Sequence, residues 1–363
     1  MKPPQIVRIG VIGAGAITRS RHLPGFKKIP GVQLVAVCNR SKASSTRIAK
    51  EWGFERIARS PSEIIWASDL DAVVIGAWPY LHHTLSCATL NAGKHVFTQA
   101  RMARNLAEAK QMLAAARRHP RQVAMICPSP YAMKSALFVQ ELLRKGFVGA
   151  IRLVEFHHLN SGFADPEKPI HWRQQRRLNG VNTLAFGIII ERFLQWFGPI
   201  QSVRAVENIF TPRRKDEKGK WVRVDNADQL LVHARLRNHP GLMNLSFSGA
   251  VHHAPSDRVC IYGDRGTLVV DLATDKVEGA MAGEKGLREL PVPRRLQRMW
   301  MVEADFIDAI RAGGRKRLSK ERTRFFSPDF EEGVRYMAVT EAAIRSARTG
   351  RTEQIDQDGF ALR

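Results

Sequence analysis

The run Gly10-Val-Ile-Gly13-Ala-Gly15-Ala16-Ile17-Thr18 follows an apolar segment, Ile6 to Ile12, and opens a stretch with helical character. A glycine turn between a strand and a helix constrains the fold strongly, because the helix start presents unpaired N–H groups and the positive end of a dipole. Gly13 permits the tight turn, Gly15 lets a phosphate approach the backbone, and the N–H groups around Ala16 and Ile17 face the anion. The pattern predicts a bound dinucleotide. Thr18 stands where a third Gly or Ala is usual, a departure that a small side chain can accommodate.

The second strand of such a unit ends at a residue that meets the adenosine ribose. Val32 to Val37 has that place, and Cys38, Asn39, Arg40 and Ser41 follow it with no Asp or Glu to accept from both ribose hydroxyls. Arg40 supplies a planar cation and Ser41 a hydroxyl, both suited to a 2′-phosphate, with Lys42 and Arg19 as nearby cations. A charge-assisted bond is worth about 1.5 to 3 kcal/mol, or roughly 10- to 150-fold in affinity. The expected cofactor is NADP rather than NAD. A solvated Arg40 with no such role is the alternative.

A chain of 363 residues with 44% hydrophobic and 25% charged residues is long enough for two globular domains. No apolar run approaches the length of a membrane span, and Met1 to Gln5 does not begin a secretion signal, so a cytoplasmic protein without a membrane partner is expected. Cys38, Cys87, Cys127 and Cys260 are far apart and predict no disulfide framework. The net charge of +23 raises nucleic acid as a partner. Its basic residues fall in small scattered groups, Arg117 and Arg118, Arg213 to Lys215 and Arg315 to Arg317 among them, and no nucleic-acid motif accompanies them. A diffuse positive field also favours phosphorylated cofactors and anionic small molecules.

Strand-like runs at 6–12, 32–38, 71–77, 94–98 and 122–127 alternate with helix-like segments near 16–28, 42–53, 80–92 and 105–118. This alternation predicts an α/β domain, a Rossmann-type doubly wound parallel sheet over residues 1–128. After an amphipathic helix over 131–145 the pattern changes to strands in series at 151–159, 200–210, 229–237, 242–248, 257–262 and 267–271. An α+β domain with a largely antiparallel open sheet is expected over 129–363, with one sheet face available to a second subunit. Amphipathic helices at 299–312 and 329–348 are expected to return toward the first domain.

The run Asp71-Ala-Val-Val-Ile-Gly-Ala77-Trp78-Pro-Tyr-Leu-His82, followed by Ala92-Gly93-Lys94-His95-Val96, resembles the Gfo/Idh/MocA oxidoreductases. So does the tail, with Phe306-Ile-Asp-Ala-Ile310, Ala342-Ala343 and Ser346-Ala-Arg-Thr-Gly350. The resemblance implies a Rossmann domain, a sheet domain that often makes homodimers or homotetramers, and hydride transfer with NAD(P) on sugars, polyols or related carbonyl compounds. It also implies a cofactor-side position for Ala77, Trp78 and His82, with Trp78 where the family usually has Pro.

The departures fall on the chemistry. Where the family usually has Glu-Lys-Pro, this chain has Gln99-Ala100-Arg101, and the positions of its second-domain Asp and His hold Ala185 and Ile189 around Gly187. Replacement carriers are therefore sought. Gln99 and Arg101 lie just past a strand end, where an oxyanion would be held. His171 has a free pKa near neutrality, and Glu191 shares a helical face with Gly187. His171, Glu191, Gln99 and Arg101 are the catalytic candidates, with Trp172, Arg173 and Asn182 for the substrate. Paired histidines at 82–83, 157–158 and 252–253 diverge along any element, so no metal is expected. The reading is an NADP-dependent oxidoreductase acting on a small carbonyl or hydroxyl compound. A weakened NADP-binding sensor or subunit and a redox-neutral enzyme using transient oxidation are the alternatives.

Overall fold

The computed structural model describes residues 5–314 and 328–356, and the Arg315 to Arg317 group lies outside them. The chain forms two compact units, Met1–Pro128 with Met301–Val334, and Ser129–Trp300 with Arg335–Arg363.

The first unit holds six parallel strands: β1 (Val7–Ile12), β2 (Val32–Cys38), β3 (Arg56–Ile57), β4 (Ala72–Ile75), β5 (His95–Thr98) and β6 (Ala124–Ile126). They run in the order β3-β2-β1-β4-β5-β6, so the sequence reverses direction between β1 and β4. That reversal opens the crevice where doubly wound sheets bind dinucleotides. All four residues of β4 are buried, as a strand covered on both faces requires. Ser41 caps the helix Lys42–Trp52 and Gly53 ends it in the left-handed region, while Asn105 caps Leu106–Arg118. Phe306, on the helix Val302–Arg311, packs against Phe26 and Phe97 at ring-centre distances of 6.4 and 5.6 Å.

Local chemistry moves several boundaries. The helix expected at 16–28 is present over 16–27, but a π-helical turn, Thr18–His22, interrupts its α-helical bonding before Leu23–Lys27. Leu23 N–H reaches back five residues to Thr18 O, and Pro24 has no N–H to resume a four-residue ladder. The helix expected at 131–145 starts at Ala136, after Ser135 N–H and Oγ donate to Asp275 Oδ1 at 2.9 and 2.8 Å.

Among the described residues the second unit carries a nine-stranded sheet: β7 (Ile151–Leu159), β8 (Ile200–Asn208), β11 (Gln229–Leu236), β12 (Leu242–Ser248), β13 (Arg258–Gly263), β14 (Gly266–Asp271), β15 (Val277–Met281), β16 (Arg288–Glu289) and β17 (Glu353–Gln354). Their order is β16-β15-β14-β13-β7-β12-β11-β8-β17, and the separate hairpin β9 (Arg213–Lys215) and β10 (Trp221–Arg223) stands beside it in sequence. One pair, β7 with β12, is parallel, and the other pairings are antiparallel. Burial alternates strictly in β11, which places one face on the core and the other outward. The apolar helix Phe186–Phe197 lies in the core, and Gly187 sits where a Cβ would come within 3.2 Å of Thr340 Oγ1.

Candidate active site

The glycine turn and β4 interlock at the reversal point. Gly13 has φ +86° and donates its N–H to Cys38 O at 2.8 Å. A Cβ on Gly76 would lie 2.2 Å from both Gly13 O and Thr18 Oγ1, so glycine at 76 makes room for threonine at 18. Thr18 is buried beneath the loop, which explains how the chain dispenses with a third small residue there. Gly15, Ala16 and Ile17 are exposed above it, and the nearest atom to a Cβ on Gly15 would be Gly76 O at 3.7 Å. The loop thus leaves its outer backbone open.

Asn39 braces this turn. Its Oδ1 accepts from Ala14 N–H at 2.7 Å, while its own N–H donates to Ser45 Oγ at 2.9 Å and its Nδ2 to Ser44 Oγ at 3.1 Å. Ser41 Oγ accepts from Ser44 N–H as the helix cap. Arg40 is exposed with its guanidinium carbon 5.8 Å from the centre of the Trp78 ring, a cation–π contact that orients it. The end of β2 therefore carries a cation, Arg40, and a hydroxyl, Ser41, with no carboxylate among residues 38–41.

The loops after β4 and β5 are stitched by His82. Its ring nitrogens lie 2.8 Å from Arg101 O and 2.9 Å from Ala77 O. The side chain is fully buried, and burial pushes its pKa down despite those carbonyls. His82 therefore braces the edge from within, with no exposed surface. Arg101 is itself 2% exposed and follows a cis peptide bond from Ala100. Gln99, half-buried at the carboxyl end of β5, makes the contact that sequence reasoning missed: its side-chain nitrogen is 2.5 Å from His22 Nε2. His22 Nδ1 is in turn 2.5 Å from Glu303 Oε1.

The candidates in the second unit form two groups. His171 caps the turn Trp172–Gln174, with Nδ1 accepting from Arg173 N–H at 3.2 Å and the His171 backbone N–H donating to Gln174 Oε1 at 3.0 Å. Burial, reinforced by the Arg173 charge, lowers its pKa to about 4, so the ring is neutral at pH 7. Arg173 lies over the Trp172 ring at 4.4 Å. The Arg173 carbonyl accepts from Asn179 and Asn226, and Asn182 Nδ2 donates to Asn179 O at 2.6 Å.

Glu191 belongs to the second group. Its Oε1 accepts from Ser129 N–H at 2.9 Å, and burial pushes its carboxyl up to about 7 against the opposing pull of that bond and of Arg192. The fully buried Arg192 donates to Ser129 O, Tyr131 O and Gln195 Oε1. These two residues hold the segment that follows β6.

Residues 7–126 match the oxidoreductase family with an NAD-binding Rossmann fold, Gfo/Idh/MocA, and residues 140–355 match the C-terminal alpha/beta domain of the same family. The chain belongs to the Gfo/Idh/MocA oxidoreductases. It is 27% identical over 308 residues to an uncharacterized oxidoreductase of Synechocystis, covering 81% of each chain. It is 24% identical over 393 residues to levoglucosan dehydrogenase of Pseudarthrobacter phenanthrenivorans, covering 94% of this chain and 96% of that one. A levoglucosan dehydrogenase structure in complex with NADH and levoglucosan shares the fold, with TM-score 0.85 and 21% identity over 97% of this chain and all of that one. As a member of this family the chain is an NAD(P)-binding oxidoreductase for CH–OH or C=O groups. Among its described residues no helix is long and apolar enough to cross a membrane.

Proposed function

We propose that this Gfo/Idh/MocA protein is an NADP(H)-dependent dehydrogenase or reductase of a small, sugar-derived carbonyl or hydroxyl compound. The observation that carries the cofactor choice is the end of β2, where Arg40 and Ser41 stand in a segment, 38–41, that has no carboxylate and Asn39 is committed to bracing the glycine turn. Gly13, Gly15, Ala16 and Ile17 would hold the pyrophosphate, and Ala77 and Trp78 would flank the cofactor beyond it. The nicotinamide would supply or accept the hydride. Gln99 and Arg101 close the carboxyl edge of β5, where Arg101 would donate to the substrate oxygen and Gln99 would accept from an O–H or N–H of the ligand. The names of levoglucosan dehydrogenase and inositol dehydrogenase relatives support a sugar or polyol ring. The Trp172–Arg173 pair suits such a substrate, since a ring face stacks on an aromatic and hydroxyls accept from a guanidinium. Asn182 is assigned to hold that platform. The outward sheet face, where exposed Val206 pairs with exposed Leu231, is assigned to contact with a second copy.

The experiment is titration of NADPH and NADH by fluorescence, followed by a panel of sugars, sugar acids and small aldehydes. NADPH is expected to bind roughly 10- to 150-fold more tightly, and Arg40→Ala to remove most of that preference. Equal or tighter NADH binding refutes the cofactor assignment. Binding without turnover, or product formed without net change in NADPH, refutes the net hydride transfer.

A further inference from the structure

Three side chains far apart in sequence meet in series at the carboxyl edge of β5. Glu303 Oε1 touches His22 Nδ1, and His22 Nε2 touches the Gln99 amide nitrogen, each at 2.5 Å. His22 is wholly buried and Glu303 is 2% exposed, whereas Gln99 is half-buried. The His22 ring is pinned edge-on against Phe97, 5.0 Å between centres.

We infer that His22 and Glu303 are positioning residues that lock the Gln99 carboxamide, its NH2 turned inward and its Oε1 left as an acceptor for an N–H or O–H donor on a bound ligand. The reasoning is a matter of hydrogen-bond parity. A carboxylate only accepts, so the proton between Glu303 and His22 belongs to Nδ1. The Gln99 amide nitrogen only donates, so His22 Nε2 is the acceptor of that contact and carries no proton. With that nitrogen committed to His22, the carbonyl oxygen is the group Gln99 offers at an edge where open α/β sheets bind their ligands. A glutamate at 99 would have no donor. His22 would then take a second proton and become an imidazolium between two carboxylates, so glutamine at 99 and a neutral His22 are matched. The protonation state concerns the chain alone, and only the ligand that Gln99 meets rests on the cofactor reading above.

The first test needs no ligand. Nitrogen-15 NMR of the histidines in the apoprotein at pH 7 should show one ring, assigned by its response to Gln99→Leu, with Nδ1 protonated and Nε2 bare. In Gln99→Glu the same ring should become protonated at both nitrogens. A wild-type ring protonated at Nε2, or a ring that ignores Gln99→Glu, overturns the inference without touching the NADP(H) assignment. The second test compares NADPH with its 3-acetylpyridine analogue, in which a methyl ketone replaces the carboxamide and no donor remains. If Gln99 serves the cofactor, the wild type should bind the analogue roughly 10-fold more weakly and Gln99→Leu should lose that discrimination. If it serves the substrate, the two cofactors bind alike and Gln99→Leu raises KM for the best compound of the panel more than it lowers kcat. No discrimination together with an unchanged KM overturns the acceptor role.

Discussion

Replacing Glu191 by Gln distinguishes a clamp from a proton carrier. Glu191 is 3% exposed, and burial raises its carboxyl from the usual 4.5 to about 7. The folded state therefore holds this proton more tightly than the unfolded chain. The stabilising contribution is complete below the unfolded value and disappears as pH rises through about 7. At about 1.4 kcal/mol per pKa unit, the full shift corresponds to about 3.5 kcal/mol, of which about 2.5 kcal/mol falls between roughly pH 5 and pH 8. Glutamine keeps an oxygen for Ser129 N–H and does not titrate. Urea unfolding of both proteins at those two pH values should show stability moving in favour of Glu191→Gln by about 2.5 kcal/mol on going to the higher pH. Turnover should remain within a few-fold. A stability difference that does not change with pH refutes the burial argument, and a rate loss of about 10² or more would make Glu191 the acid or base.

Gly76→Ala should abolish measurable cofactor binding, since its Cβ would lie 2.2 Å from the Gly13 carbonyl, a backbone atom that cannot rotate away. Calorimetry with NADPH measures this, and wild-type affinity would show that the interlock is dispensable. His171 should titrate near pH 4 by NMR. Its folded pKa is depressed, so its contribution to stability is present above its usual 6.5 and is lost as pH falls through about 4. Turnover should accordingly show no inflection from His171 near pH 6.5, and an inflection there that vanishes in His171→Asn would contradict its buried, neutral role.

How much of this was visible beforehand depended on the distance over which each feature is encoded. The glycine turn and the strands β1 and β2 are local, because a strand period and a positive-φ glycine act over a few residues, and they appear in the structure where the sequence predicts them. The two-residue strands β3, β16 and β17 are too short for any period to register. The parallel pairing of β7 with β12 joins segments separated by the whole of β8 to β11, and no local signal encodes it. The same physics governs the site. Departures at Gln99 and Arg101 fall at a strand end that the sequence marks, but Glu303 lies 281 residues from His22, so their contact has no spacing to recognise. Glu191 is an informative contrast: helical periodicity correctly groups it with Gly187, yet its burial against the Ser129 segment is decided by tertiary packing. A sequence thus indicates where a polar group leaves an element, while its chemistry is set by whichever distant group completes its hydrogen bonds. Gln99 carries that logic furthest, since glutamine in place of the family's usual glutamate makes sense only once a neutral histidine is placed against it.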